Sequence, residues 1–283
     1  MGYSLAMAAE TMNRNSVIEE FEERGFLVIP NALTATQVSA LNAALDRYQT
    51  DHPDEWVRFD EALIQTINIL PRTSDFDCTI ENPVILDLLR GLIGDNLSFE
   101  ELSLMIRNPS EKSEDIKGWH RDTTRDYNRR MEIKAISVVY YLTDVGENDH
   151  CFSIIPETHN GKVDMKPEDV VLGTEFDVKG PAGTALLFHT RCLHTGRLKA
   201  NSRQRRTVHV YFSRAGEPRV SEWSDIPKRL YGKKDSSLPP KLYSKWNVKE
   251  VFEGTGKKPE DLDPNLSTAE MLKAVQLRAK QRM

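Results

Sequence analysis

Cysteine is scarce in this chain. Cys78, Cys151 and Cys192 are the only three in 283 residues, too few and too scattered for a disulfide framework or a closed structural zinc site. A reducing, cytoplasmic setting is the expectation. Long apolar runs are also missing, so no segment reads as a membrane span. Met1-Gly2 resembles a myristoylation start, but Ala6 stands where Ser or Thr is required, and Gln281-Arg282-Met283 departs from the Ser-Lys-Leu peroxisomal ending. The reading is no membrane partner. Positive charge is not in excess either: the formal net charge is −5, which argues against a phosphate-backbone binder and so against nucleic acid. No repeat, low-complexity block or break in composition marks a boundary. The expectation is one domain over residues 1–283, with a core at about 15–215 and a C-terminal extension at about 216–283.

Local patterns divide the chain into early helices and later strands. Ser16 reads as the N-cap of a short helix through Glu23, after which Gly25 releases the strand Phe26-Leu27-Val28-Ile29. Thr34 opens a second helix whose apolar positions Val38, Leu41, Leu45 and Tyr48 keep helical spacing, and Pro83 starts a third that stops near Gly94. From Leu97 the period becomes two, through Leu102, Leu104 and Ile106, and Ala135 to Leu142 is a β-branched and aromatic run. Further strands are expected at Cys151–Ile155, Asp169–Val178, Thr184–Phe188 and Thr207–Phe212, with Gly180-Pro181-Ala182-Gly183 as a tight turn. Many short strands with turn punctuation suggest a sandwich or jelly roll. Trp223 to Tyr243 reads as an extended segment pinned onto the barrel. Ser267 reads as the cap of a final helix through Met271, Leu272, Val275 and Leu277, able to cover the site or to form a homodimer contact.

One constellation carries chemistry. His120 and Asp122 are two residues apart, so in an extended segment both side chains point to one face, and His194 can close a third corner. Two imidazoles and one carboxylate with open positions favour ferrous iron that activates dioxygen. Arg205 follows His194 by eleven residues, with Thr207 on the same face of the strand and Arg206 on the other. His189 is the competitor for the third corner; its position at the end of a strand reads as packing, and the spacing to Arg205 favours His194.

The chain resembles the phytanoyl-CoA dioxygenase family of iron(II)- and 2-oxoglutarate-dependent oxygenases. The resemblance runs through Glu22-Glu23-Arg24-Gly25-Phe26-Leu27-Val28-Ile29-Pro30, Trp119-His120-Arg121-Asp122, Ser153-Ile154-Ile155-Pro156-Glu157-Thr158-His159, Gly183-Thr184-Ala185-Leu186-Leu187-Phe188-His189 leading to His194, and Arg205. Its order and spacing are more specific than any one motif. It implies a mostly β fold with flanking helices, whose core is a double-stranded β-helix of the jelly-roll, cupin-like type. It also implies that His120, Asp122 and His194 bind Fe(II), that Arg205 with Thr207 holds the distal carboxylate of 2-oxoglutarate, and that Asn108 contacts its other end. A planar guanidinium suits a carboxylate through two parallel hydrogen bonds.

Three departures from the family pattern stand out. A glycine before the Cys151 strand is replaced by His150, the usual Pro-Gly-Ser-His becomes Pro156-Glu157-Thr158-His159, and a serine that touches the cosubstrate in relatives is Gly196. Asp122 argues against halogenation, because family halogenases give up this carboxylate. The activity implied is hydroxylation of an unactivated C–H bond of a small polar molecule or natural product, with dioxygen consumed and succinate and carbon dioxide released. Trp119, Arg125 and Tyr127 are candidates for the substrate wall; the bland reading of the Arg125 segment is a solvated loop. Alternatives are an acyl-CoA hydroxylase, a desaturase or cyclase of the same cofactor class, a zinc hydrolase or isomerase, and a catalytically silent binding protein.

Overall fold

The computed structural model describes residues 14–113, 118–123, 135–161, 163, 165–171, 173–215 and 224–244. In chain order its elements are α1 (Arg14–Arg24), β1 (Phe26–Ile29), α2 (Ala35–Asp51), β2 (Val57–Arg58), β3 (Leu63–Ile67), α3 (Asp77–Ile80), α4 (Pro83–Ile93), β4 (Leu97–Arg107), β5 (Ala135–Tyr141), β6 (Cys151–Ile154), β7 (Phe176–Val178), β8 (Ala185–His189), β9 (His194–Arg197), β10 (Arg205–Arg214) and α5 (Lys228–Tyr231). The strands form a seven-stranded sheet in the order β1-β8-β5-β10-β4-β3-β2 and a three-stranded sheet in the order β7-β6-β9. All the pairings are antiparallel. This is the mostly β, jelly-roll architecture expected.

Alternation along each strand divides the apolar residues between two clusters. Leu102, Leu104 and Ile106 of β4, Ile136, Val138 and Tyr140 of β5, and Val208, Val210 and Phe212 of β10 join Phe21, Leu41, Leu45, Ile85 and Leu89 of the helices in the larger one. Val139 and Tyr141 of β5, Leu186 and Phe188 of β8, and Phe152 and Ile154 of β6 form a second cluster that joins the two sheets. The opposite face of β10 carries Arg205, Thr207, His209 and Tyr211, all polar. A sheet with one apolar and one polar face buries the first under helices and keeps the second for chemistry.

The helices form where the sequence caps them. Thr34 and Gln37 make a reciprocal capping box at the start of α2, and Asn82 caps α4 by accepting from the backbone N–H groups of Val84 and Ile85 at 3.1 and 3.2 Å, just before Pro83. Ser16 is not a cap: α1 begins at Arg14, so Ser16 lies inside it. The strand expected over Asp169–Val178 shortens to Phe176–Val178, because Pro167–Asp169 close a 3-10 turn first. The Gly180–Gly183 turn forms, and Gly183 is required there: its φ is +96° and an added Cβ would lie 2.5 Å from the Leu33 carbonyl oxygen.

The segment 224–244 is pinned onto the barrel, with one helical turn, α5, inside it. Ile226, Leu230, Leu242 and Tyr243 enter the larger cluster, the Phe99 N–H donates to the Leu242 carbonyl at 2.7 Å, and Arg229 forks onto Asp77 at 2.8 and 2.9 Å. The helix expected after Ser267, with the dimer contact assigned to it, lies outside the described residues, as do Arg125 and Tyr127. Among the described residues no helix is long and apolar enough to cross a membrane.

Candidate active site

His120 and His194 face each other across an isolated antiparallel bridge, each N–H donating to the other's carbonyl at 3.0 Å. This adds one residue pair to the edge of the small sheet at β9. The chain then turns so that the Asp122 and Thr123 N–H groups both donate to the Thr190 carbonyl, at 3.0 and 3.2 Å. The consequence is convergence: Asp122 Oδ1 lies 3.4 Å from His120 Nε2 and 3.5 Å from His194 Nε2, and one donor atom from each residue lies within 4.8 Å of the others.

Backbone carbonyls fix the tautomers. His120 Nδ1 donates to the Gly118 carbonyl at 2.6 Å and His194 Nδ1 to the Cys192 carbonyl at 2.9 Å. A carbonyl only accepts, so both protons sit on Nδ1 and both Nε2 lone pairs point at Asp122, the arrangement a divalent metal requires. The His194 ring is clamped by Phe152, stacked at 5.1 Å and 10°, and by Phe188 at 4.6 Å. Asp122 completes the set with its second oxygen, Oδ2, which accepts from the Tyr211 hydroxyl at 2.9 Å. Burial by itself would raise the Asp122 pKa, but without a metal His194 and His120 in their protonated forms outweigh it by attraction and by hydrogen bonds from Nε2, and hold the carboxyl well below its ordinary range. Tyr211 moves the other way: burial and then the Asp122 charge push its hydroxyl well above the usual tyrosine value, so it stays a donor.

Arg205 enters the same space from β10. It is buried, and its Nε and Nη1 have no hydrogen-bond partner among the described residues. A buried cation without a partner is costly, so the site is built for an anion. Thr207 lies next along this face, its Oγ1 3.0 Å from His209 Nε2. Burial, and then the Arg205 charge, depress the His209 pKa to about 3, which keeps it neutral. Gly196, two residues beyond His194, leaves open the ground beneath the guanidinium: a Cβ there would lie 3.4 Å from an Nη2 of Arg205 and of Arg107 alike.

Asn108 turns its side-chain carbonyl to Gln204 Nε2 at 2.8 Å and is not brought into this group. Trp119 packs with Ile155, Val170 and Leu193 in a small cluster. His189 is buried away from the triad; its Nδ1 accepts from the Arg191 N–H at 3.1 Å, and burial first, then His159 and Arg191, lower its pKa to about 3. Arg206 faces outward to Asn42 and Asp46 of α2. Tyr211 and Arg107 were not singled out in the sequence, although alternation carries the Arg205 face on to Tyr211 and places Arg107 opposite the Leu104–Ile106 face.

These observations and the comparisons define the class: a 2-oxoglutarate-dependent non-haem iron oxygenase. Within it the chain belongs to the phytanoyl-CoA dioxygenase family, whose profile matches residues 21–207. A curated relative, the probable alpha-ketoglutarate-dependent hypophosphite dioxygenase of Stutzerimonas stutzeri, is 21% identical over 226 residues, covering 69% of this chain and 77% of that protein. The epimerase SnoN, crystallised with Fe3+, alpha-ketoglutarate and nogalamycin RO, shares the fold at a TM-score of 0.58 and 16% identity, covering 81% of this chain and 94% of its own. HygX from Streptomyces hygroscopicus, with nickel, 2-oxoglutarate and hygromycin B bound, does so at a TM-score of 0.57 and 16% identity, over 81% and 95%.

Proposed function

We propose that the protein hydroxylates an unactivated C–H bond of a small polar molecule or natural product, converting 2-oxoglutarate and dioxygen to succinate and carbon dioxide. His120, Asp122 and His194 hold Fe(II), and Arg205 with Thr207 anchors the distal carboxylate of the cosubstrate. The observation that carries this reading is the buried guanidinium of Arg205, its Nε and Nη1 without a partner among the described residues, beside a two-imidazole, one-carboxylate group whose donor atoms converge. Iron and the keto acid, once bound, supply the activation of dioxygen. The chain's own residues position and shield. The Gly118 and Cys192 carbonyls lock the two imidazoles, Tyr211 holds Asp122, and Phe152 and Phe188 keep water from one side of His194.

The inner face beside the triad supports a polar substrate. The β4 residue Ser103 lies opposite His209, and Glu101 lies opposite Tyr211, so the wall of the large sheet next to the site offers hydroxyl, carboxylate and imidazole groups. The ligands named for SnoN and HygX, both small molecules, agree with this class. Arg125 and Tyr127 remain proposed as substrate contacts. The test is a metabolite screen read by succinate formation with Fe(II) and 2-oxoglutarate, followed by the ratio of hydroxylated product to succinate in wild type and Arg125→Ala. Succinate should require both Fe(II) and 2-oxoglutarate and rise with the true substrate, and Arg125→Ala should lower the ratio. An enzyme that turns over a substrate without consuming 2-oxoglutarate would end this reading.

A further inference from the structure

We propose that Arg107 is a second anchor for the distal carboxylate of 2-oxoglutarate, paired with Arg205 across the β4–β10 ladder. The inference rests on the function proposed above and adds a residue to it. Arg107 and Arg205 are direct cross-strand partners, so their side chains leave the sheet on the same face. They are only 6% and 5% exposed. Like charges directly opposite one another in a sheet repel, and burial strengthens the repulsion. An anion between them turns that cost into a binding site.

The geometry shows where that anion goes. The Nη2 atoms of both arginines lie 3.4 Å from the single point where a Gly196 Cβ would sit, two residues along β9 from His194. The absent side chain therefore leaves a space with a guanidinium on two sides. Asp60 meets Arg107 from the other end, its Oδ2 3.3 Å from Nη1, while its Oδ1 accepts the Ala62 and Leu63 N–H groups at 2.7 and 2.6 Å. Asp60 thus holds Arg107 at Nη1, while Nη2 lies on the Gly196 side. A carboxylate has about four lone-pair sites, enough to accept from two guanidiniums at once. His150 borders the same ground, where burial and then the charges of Arg205 and Arg107 lower its pKa to about 4. It adds no third positive charge at neutral pH.

The experiment is a calorimetric titration of 2-oxoglutarate into protein loaded with Ni(II), which blocks turnover, with thermal unfolding and metal stoichiometry recorded for each variant. Arg107→Met should weaken 2-oxoglutarate at least about tenfold, the usual loss of a charged hydrogen bond, with nickel binding kept and Arg107→Lys intermediate. Gly196→Leu should also weaken it, because a bulky apolar side chain fills the space between the guanidiniums. Asp60→Asn, which removes the ion pair at Arg107 Nη1 but keeps the guanidinium, should weaken 2-oxoglutarate much less than Arg107→Met does. Unchanged affinity in Arg107→Met, beside a large loss in Arg205→Met, would overturn this inference and leave the proposed function standing. Equal losses in Asp60→Asn and Arg107→Met would also overturn it, by showing that Arg107 acts only through its ion pair. A wild-type protein without affinity for 2-oxoglutarate would remove both.

Discussion

Tyr211 shows how much of a metal site lies outside the ligands themselves. Its hydroxyl fixes one oxygen of Asp122 and so aims the other at the two Nε2 atoms. Tyr211→Phe should raise the dissociation constant for Fe(II) about 10- to 100-fold, the range found when such outer partners are removed, with little change in thermal stability; competition against a metal indicator measures it. An unaltered constant would assign Tyr211 to packing alone. His120, Asp122, His194 and Arg205 were legible in the sequence because their types are chemically conspicuous and their order is that of the family. Tyr211 and Arg107 were not, since a tyrosine or an arginine at the end of an apolar strand looks like any other until the pairing partner is known. Arg206 was legible for a simpler reason: alternation turns it away from Arg205, and it is found on Asn42 and Asp46.

The elements divide along the same line between pattern and context. Thr34, Pro83 and the alternation in β4, β5 and β10 announced their structures because local propensity and burial agree there. The strand β9 did not: His194-Thr195-Gly196-Arg197 has no apolar alternation, and it is a strand because β6 pairs with it, His194 lying opposite Ile154 and Gly196 opposite Phe152. The two-residue β2 and the five-residue β3 are held in the same way by the edge of the sheet. The turn after β6 is a sharper case. The family's glycine is Glu157 here, and the backbone keeps a left-handed φ of +63° all the same, with the Glu157 N–H on the Arg24 carbonyl at 3.0 Å. Left-handed geometry costs a non-glycine residue about 1–2 kcal/mol, and the entropy of glycine returns part of that. Glu157→Gly is therefore expected to stabilise the fold by up to about 1 kcal/mol in urea denaturation. A loss of stability would show that the Glu157 side chain contributes more than its backbone strain. Gly183→Ala should do the reverse and destabilise by more than about 1 kcal/mol, because φ is +96° and the Leu33 carbonyl stands 2.5 Å from the new carbon.

At the scale of the whole molecule, one sheet works on two sides: the helices bury its apolar face, and its polar face meets the small sheet around the triad. Enclosing histidines in this way ties stability to pH. The folded pKa of His189 is about 3, against about 6.5 in an unfolded chain, so below pH 6.5 the unfolded state binds a proton that the native state refuses. Stability is complete above that pH and falls as the pH drops toward 3, by up to about 1.4 kcal/mol per unit from this residue; His150 contributes with the same sign. His189→Asn, which keeps an acceptor for the Arg191 N–H, should be less stable at pH 7 and lose less on acidification, as denaturation curves at pH 7 and pH 5 will show. An unchanged slope would mean that His189 is not the group that titrates. The central claim is that His120, Asp122 and His194, and not His189, hold one iron. Equilibrium dialysis against Fe(II) under anaerobic conditions tests it most directly. The account predicts one iron per chain in wild type and in His189→Asn, and a severe loss in His120→Ala, Asp122→Ala and His194→Ala with the fold retained. Iron retained by His194→Ala and lost by His189→Asn would contradict it.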